Sequence, residues 1–279
     1  MKKTTNKKTI IATIAIVTTL ATGAVSFAAQ HFDGLRELYG EQPNLTVQNK
    51  TAINQSSVVS GVKMTVTESI ISDKGAVIVA TFEREDGKVF EKDAVVPTIE
   101  ITNRKDLSYM INQALSEDRT KIIASLEIDS SKSLESQTLT VVADKIINTA
   151  TKETLAAGPW SISLTATNQK FIKEQTLDLL TEKDHEKMSL TKINVSSLGV
   201  AVEGKRLDGK TSTLPSYMPS IKITTADGKA IQLTFHSANK IETGFRILYV
   251  NKTDANIRES LNTLDIKKVS IDGKTIRLN

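Results

Sequence analysis

The sequence predicts a mainly β protein, exported from the cytoplasm and built as two β modules behind an N-terminal apolar helix. Three observations carry that expectation. From Ser57 onward, apolar and polar residues alternate over many short runs, the two-residue period of half-buried strands. The tripeptide Asp-Gly-Lys recurs at Asp86, Asp208, Asp227 and Asp272, each time beside such a run. Asp-Gly supplies the positive-φ conformations that tight antiparallel hairpins need. Finally, the first thirty residues have the form of an export segment.

Lys2, Lys3, Lys7 and Lys8 give that segment a basic start, Ile10 to Ala29 carry no charge, and Ser26-Phe27-Ala28 offers a small-x-small cleavage pattern. A helix over residues 9–29, rising about 1.5 Å per residue, would just cross the ~30 Å hydrocarbon core. Thr13, Thr18, Thr19, Thr22, Gly23 and Ser26 dilute its apolar character, which favours a cleaved signal peptide over residues 1–28 against a retained anchor. Both readings place the remainder outside, because the lysines stay in. With only Met1 to Thr9 ahead of the apolar run, no cytoplasmic domain is expected. The chain has no cysteine, so a lipid-modified cysteine and disulfides are both excluded. Stability must then come from buried apolar surface.

The leader also explains the charge. The net charge is +4, with 36 basic and 32 acidic residues; taking away the four leader lysines leaves 32 against 32. A neutral, interspersed surface gives no basic field for nucleic acid, and none is expected as a partner. Membrane contact is expected only through the N-terminal segment, if it is not cleaved.

Residues 29–55 are expected to form a short helix and a connector. Phe32, Leu35, Leu38 and Tyr39 lie on one side of an amphipathic helix from Gln30 to Tyr39, Gly40 is its C-cap, and its apolar side is expected to pack on the first module. Glu41 to Gln55 would lead into the strands.

The first β module is expected over residues 56–150. Its strands are Val62–Val66, Ala76–Phe82, Val95–Ile101 (with Pro97 marking an edge or bulge), Ile122–Ile128 and Leu139–Ile147. Asp106 to Leu115 fit either helix or strand. Thr149 to Gly158, without periodicity, are expected to be the linker. A second module, residues 158–279, opens at Gly158-Pro159-Trp160 and continues through Ser161–Leu164, Ile193–Val202, Ile221–Thr225, Ile231–Phe235 and Phe245–Val250. Glu174 to Lys187 read as one helical turn or a charged loop.

Reactive constellations are sparse. His31, His185 and His236 are isolated, and no His-x-x-x-His pair sets two imidazoles on one helix face. None of the Asp-Gly-Lys turns has the dense oxygen spacing of a calcium loop. Ser237-Ala238-Asn239-Lys240 and Lys210-Thr211-Ser212 resemble fragments of serine acyl-enzymes, but in the wrong order and outside a buried helix. Glu83/Glu85 and Asp178/Glu182 sit in charged, solvated segments, where nothing would shift a pKa for acid catalysis. Trp160, the single tryptophan, is expected to anchor a core. No catalytic, cofactor-binding or metal-binding residue is assigned, and no cofactor is expected.

The order of these parts is similar to a known one. A basic leader, one apolar segment, a short helix and then Gly61-Val62-Lys63-Met64-Thr65-Val66 through Phe82 resemble an uncharacterised family of bacterial extracytoplasmic domains. That family resembles the outer part of anti-sigma-factor-like membrane proteins. Gly158-Pro159-Trp160, Leu190 to Ser197 and Ile221 to Leu233 resemble the second β domain commonly appended to it. The resemblance implies two immunoglobulin-like or related β-sandwich domains, a binding or sensing role, and no catalytic residues. The expected function is a noncatalytic binding or sensory/regulatory module of the bacterial cell envelope, secreted or held on the outer face of the membrane by residues 9–29. Its partner would be an envelope protein, a peptide or a wall component. The alternatives are a passive structural or adhesive surface protein, and an enzyme with an unrecognised site.

Overall fold

The computed structural model describes Gly34, Leu38 and residues 51–167, 173–210, 213–252 and 258–278. The expected export segment and most of the helix expected over Gln30–Tyr39 lie outside them; Gly34 and Leu38 are both helical. The described chain is mainly β. Its first nine strands are β1 (Thr51–Val59), β2 (Val62–Ile71), β3 (Gly75–Arg84), β4 (Ala94–Val95), β5 (Ile99–Ile101), β6 (Leu107–Leu115), β7 (Lys121–Ser130), β8 (Thr138–Asn148) and β9 (Thr154–Thr165). They form an antiparallel sheet in the order β1-β2-β3-β7-β6 and a second one, β4-β8-β5, with β9 paired to β8.

Alternation sets which side chains enter the core between these sheets. Val62, Met64 and Val66 point in from β2, opposite Phe82 and Ala80 of β3. A bulge between Val66 and Glu68 then changes the register. One extra residue exchanges the two faces of a strand, so Ile71 returns to the core while Glu68 and Ile70 turn outward. The core is anchored by Trp160, which is wholly buried, donates from Nε1 to the Val62 carbonyl at 2.8 Å, and meets Phe82 edge to face at 5.7 Å.

The linker expected at Thr149 to Gly158 is a hairpin instead. Asn148 Oδ1 accepts from the Ala150 and Thr151 amides at 2.8 and 3.0 Å, closing a short turn into β9. Trp160, Ile162, Leu164 and Ala166 all join the first core. Residues 158–166 therefore belong with the earlier strands, not with the later ones. Gly158 misleads because glycine reads as a breaker. Here it allows close backbone approach: a Cβ would stand 2.7 Å from the carbonyls of Ala143 and Asp144. Pro159 is tolerated because β9 pairs on one side only. Ala166 is the last residue of the first core, and Leu177 the first of the second.

The second half contains β10 (Lys173–Lys183), β11 (Glu186–Ser196), β12 (Gly199–Arg206), β13 (Ile221–Thr225), β14 (Ala230–Gln232), β15 (Thr234–Ile241), β16 (Gly244–Lys252), β17 (Arg258–Glu259), β18 (Ile266–Ile271) and β19 (Lys274–Arg277). One sheet runs β10-β11-β12-β16-β15 with β17 on β16, the other β14-β13-β18-β19. Between them lies a core containing Met188, Ile193, Val202, Ile223, Phe245, Ile247 and Val269.

Several local expectations change. Glu174 to Lys187 form the β10–β11 hairpin, turned by Asp184 and His185, both at positive φ. Asp106 to Leu115 resolve as strand, and β1 begins inside the expected connector. Pro97 divides the expected Val95–Ile101 strand into β4 and β5. Ser237 to Lys240 lie within β15. All four Asp-Gly-Lys glycines have positive φ, but only those after Asp227 and Asp272 close hairpins. At Asp86 and Asp208 the aspartate instead pairs with an arginine two residues earlier, Arg84 or Arg206.

Candidate functional site

Two polar regions stand out, and they differ in how their hydrogen bonds are used. The first lies where the halves meet. β3 and β7 are buried on both faces, which explains their near-continuous apolar runs. On the outer face Ile70, Val77, Val79 and Ile123 pack against Leu198, from the β11–β12 turn, and Leu38. Beside this patch Asp129, 4 % exposed, pairs with Arg246. Its other oxygen accepts from Ser237 Oγ at 2.5 Å and Asn239 Nδ2 at 2.7 Å. Asn239 Oδ1 in turn accepts from Ser108 Oγ at 3.1 Å. Lys74 reaches Glu203 at 2.6 Å, and His236 lies 3.6 Å from Glu127. These groups link the two halves through hydrogen bonds and ion pairs between their sheets.

The second region is a cleft of about 320 Å³ at one end of the second half. Its floor is aliphatic: Ile223 from β13, Ile266 from β18, Leu261, and half-buried Ile231 from β14. Its rim is polar, with Thr225, Asp227 and Lys229 on the β13–β14 hairpin, Asn251 near the end of β16, and Asn262 and Asp265 before β18. The hairpin is fixed locally. Asp227 Oδ1 accepts from Thr225 Oγ1 at 2.5 Å and from the Lys229 amide at 3.2 Å, while Gly228 takes the positive φ. The Thr225 hydrogen bond, followed by that amide, holds the Asp227 carboxyl below the usual carboxylate range. Across the cleft, Asn262 Nδ2 donates to Asp265 Oδ2 at 2.6 Å.

Asn251 is the informative residue. It is 9 % exposed, lines the cleft, and donates from Nδ2 to Glu259 Oε2 at 2.7 Å. A carboxylate only accepts, so this bond fixes which end of the amide is nitrogen. Its Oδ1 receives no hydrogen bond from any described residue.

The fold has a solved counterpart. The crystal structure of the conserved domain protein from Bacillus anthracis superposes with a TM-score of 0.57, covering 83 % of this chain and 78 % of that chain at 16 % sequence identity. The shared architecture spans both halves. No protein-family model and no curated protein sequence matches the chain.

Among the residues considered from sequence, Trp160 anchors the first core. His236 stands at the junction, His185 occupies an exposed hairpin turn, and His31 lies outside the described residues, as do Thr211 and Ser212. Glu83 pairs with Lys63 and Lys121 on the surface. Ser237, the serine of the rejected Ser-x-x-Lys fragment, is bound to Asp129. None of these enters the cleft. The sequence signal that touches it is the Asp227-Gly228-Lys229 turn, recognised as a turn but not as a rim. Asn262 and Asp265 carried no signal of their own, and Asn251 only that of an Asn-Lys-Thr triplet, a pattern common by chance in an Asn- and Thr-rich chain.

Proposed function

We propose that the chain is a noncatalytic extracytoplasmic binding or sensory module of a bacterial cell envelope, with two β-sandwich domains of immunoglobulin-like or related kind. Residues 9–29 export it or hold it on the outer face of the membrane. The observation that carries the reading is the cleft, where an aliphatic floor and a polar rim with unused acceptors form the usual chemistry of a small-ligand or side-chain pocket. The resemblance to extracytoplasmic domains of anti-sigma-factor-like proteins agrees with it, and the partner would be an envelope protein, a peptide or a wall component.

The test is site-specific crosslinking in living cells. A photoreactive residue at Ala226, exposed at the cleft rim, should capture one reproducible partner, whereas one at exposed Val89 should not. Equal capture at both sites, or hydrolysis of an envelope substrate abolished by one polar substitution, would overturn the reading.

A further inference from the structure

We propose that the cleft takes a primary ammonium group on an aliphatic stem, as in a lysyl side chain of a partner peptide. This deepens the binding reading above and rests on it.

Three carboxylate or amide oxygens of the described lining residues receive no hydrogen bond there. Asn251 Oδ1 is held in place by the bond from its own Nδ2 to Glu259 and receives no hydrogen bond from a described residue. Asp227 Oδ2 and Asp265 Oδ1 likewise receive no hydrogen bond from a described residue, while the partner oxygen of each carboxylate is engaged. An ammonium offers donors and no acceptor, the complement of a lining whose oxygens are unfilled. Hydrogen bonds to a charged donor are also the stronger kind.

Charge points the same way. The described rim carries two carboxylates and one ammonium, Lys229, so an anion would meet net repulsion. The floor selects the stem. Ile223, Leu261, Ile266 and Ile231 offer aliphatic surface to a methylene chain, and no aromatic ring stands among the described lining residues. A methylene chain ending in a charge buries its stem while its head stays at the polar rim.

Lys229 sharpens the idea into a sign. Its ammonium repels a cationic guest, so Lys229→Gln should strengthen binding, whereas Asp265→Asn should weaken it. For an anionic guest both signs reverse.

The experiment is an amide chemical-shift titration of the exported portion with three capped tripeptides: Ala-Lys-Ala, its Nε-acetyl-lysine counterpart and Ala-Glu-Ala. The account expects saturable shifts at residues 225–231, 251 and 261–266 from the lysine peptide. Acetylation should weaken binding roughly tenfold, the loss of one charge-assisted contact. Lys229→Gln should tighten the lysine peptide, and Asp265→Asn should weaken it. Equal shifts from the acetylated or the glutamate peptide would overturn the ammonium assignment and leave a binding cleft standing. No cleft shift from any peptide at roughly 20 mM, an affinity too weak to matter, would overturn both.

Discussion

The junction and the cleft are built from the same residue types and put them to opposite uses. At the junction Asp129 has both oxygens engaged, by Arg246 on one side and by Ser237 and Asn239 on the other. In the cleft Asp227, Asp265 and Asn251 each have one side-chain oxygen that no described residue bonds. A buried polar group without a partner is costly, so a closed interface must satisfy every one it contains. A cleft open to water need not, and its spare acceptors remain available to a guest. Satisfaction, more than residue identity, separates structural polarity from functional polarity here.

The largest effect should come from breaking the junction. Asp129→Asn preserves shape but leaves the Arg246 guanidinium, 5 % exposed at its side chain, without its counter-charge. Removing one member of such a pair costs about 3–5 kcal/mol, read as a lowered urea midpoint. An unchanged midpoint would mean the junction is not the closed interface described. Trp160→Phe comes next. It strands the Val62 carbonyl that Nε1 satisfies and should cost about 1–3 kcal/mol without moving the junction.

Acid should act more gently, through Asp208. Hydrogen bonding from Arg206 lowers its carboxyl to about 2, below the unfolded value of roughly 3.9. A depressed carboxylate adds stability that is fully present above the unfolded pKa and is lost as pH falls through the folded one. The melting temperature should therefore drop between about pH 4 and pH 2, and Asp208→Asn should flatten that drop. A slope identical in the variant would remove Asp208 from the account. Smallest of all is Lys229→Gln, an exposed rim change whose effect on stability should stay within about 0.5 kcal/mol by denaturant titration.

Much of the β character was legible, because alternation along Val62–Val66 and Ile122–Ile128 follows from the strand period alone. Turns were legible where glycine announced them, at Gly228 and Gly273. They were not where Asp184 and His185 adopt positive φ themselves, since non-glycine residues give little warning of that conformation. The assignment of Gly158 to Ala166 failed for another reason: Gly-Pro marks both linkers and bulged edge strands, and only the pairing with β8 distinguishes them. The junction was invisible because Asp129 and Arg246 are 117 residues apart. The cleft likewise joins Asp227 to Asn251 and Asp265 across two sheets, a proximity that no local pattern encodes.

The central claim is tested most directly by measuring two properties on two variants, Asp129→Asn and Asp265→Asn. Each is assayed for its urea midpoint and for partner capture by a photoreactive residue at Ala226. The account predicts that Asp129→Asn lowers the midpoint, while the protein that remains folded still captures the partner. Asp265→Asn should leave the midpoint within about 0.5 kcal/mol of the parent and lose capture. If Asp265→Asn unfolds the protein as severely as Asp129→Asn, or captures the partner as well as the parent does, the division between a structural junction and a functional cleft is contradicted.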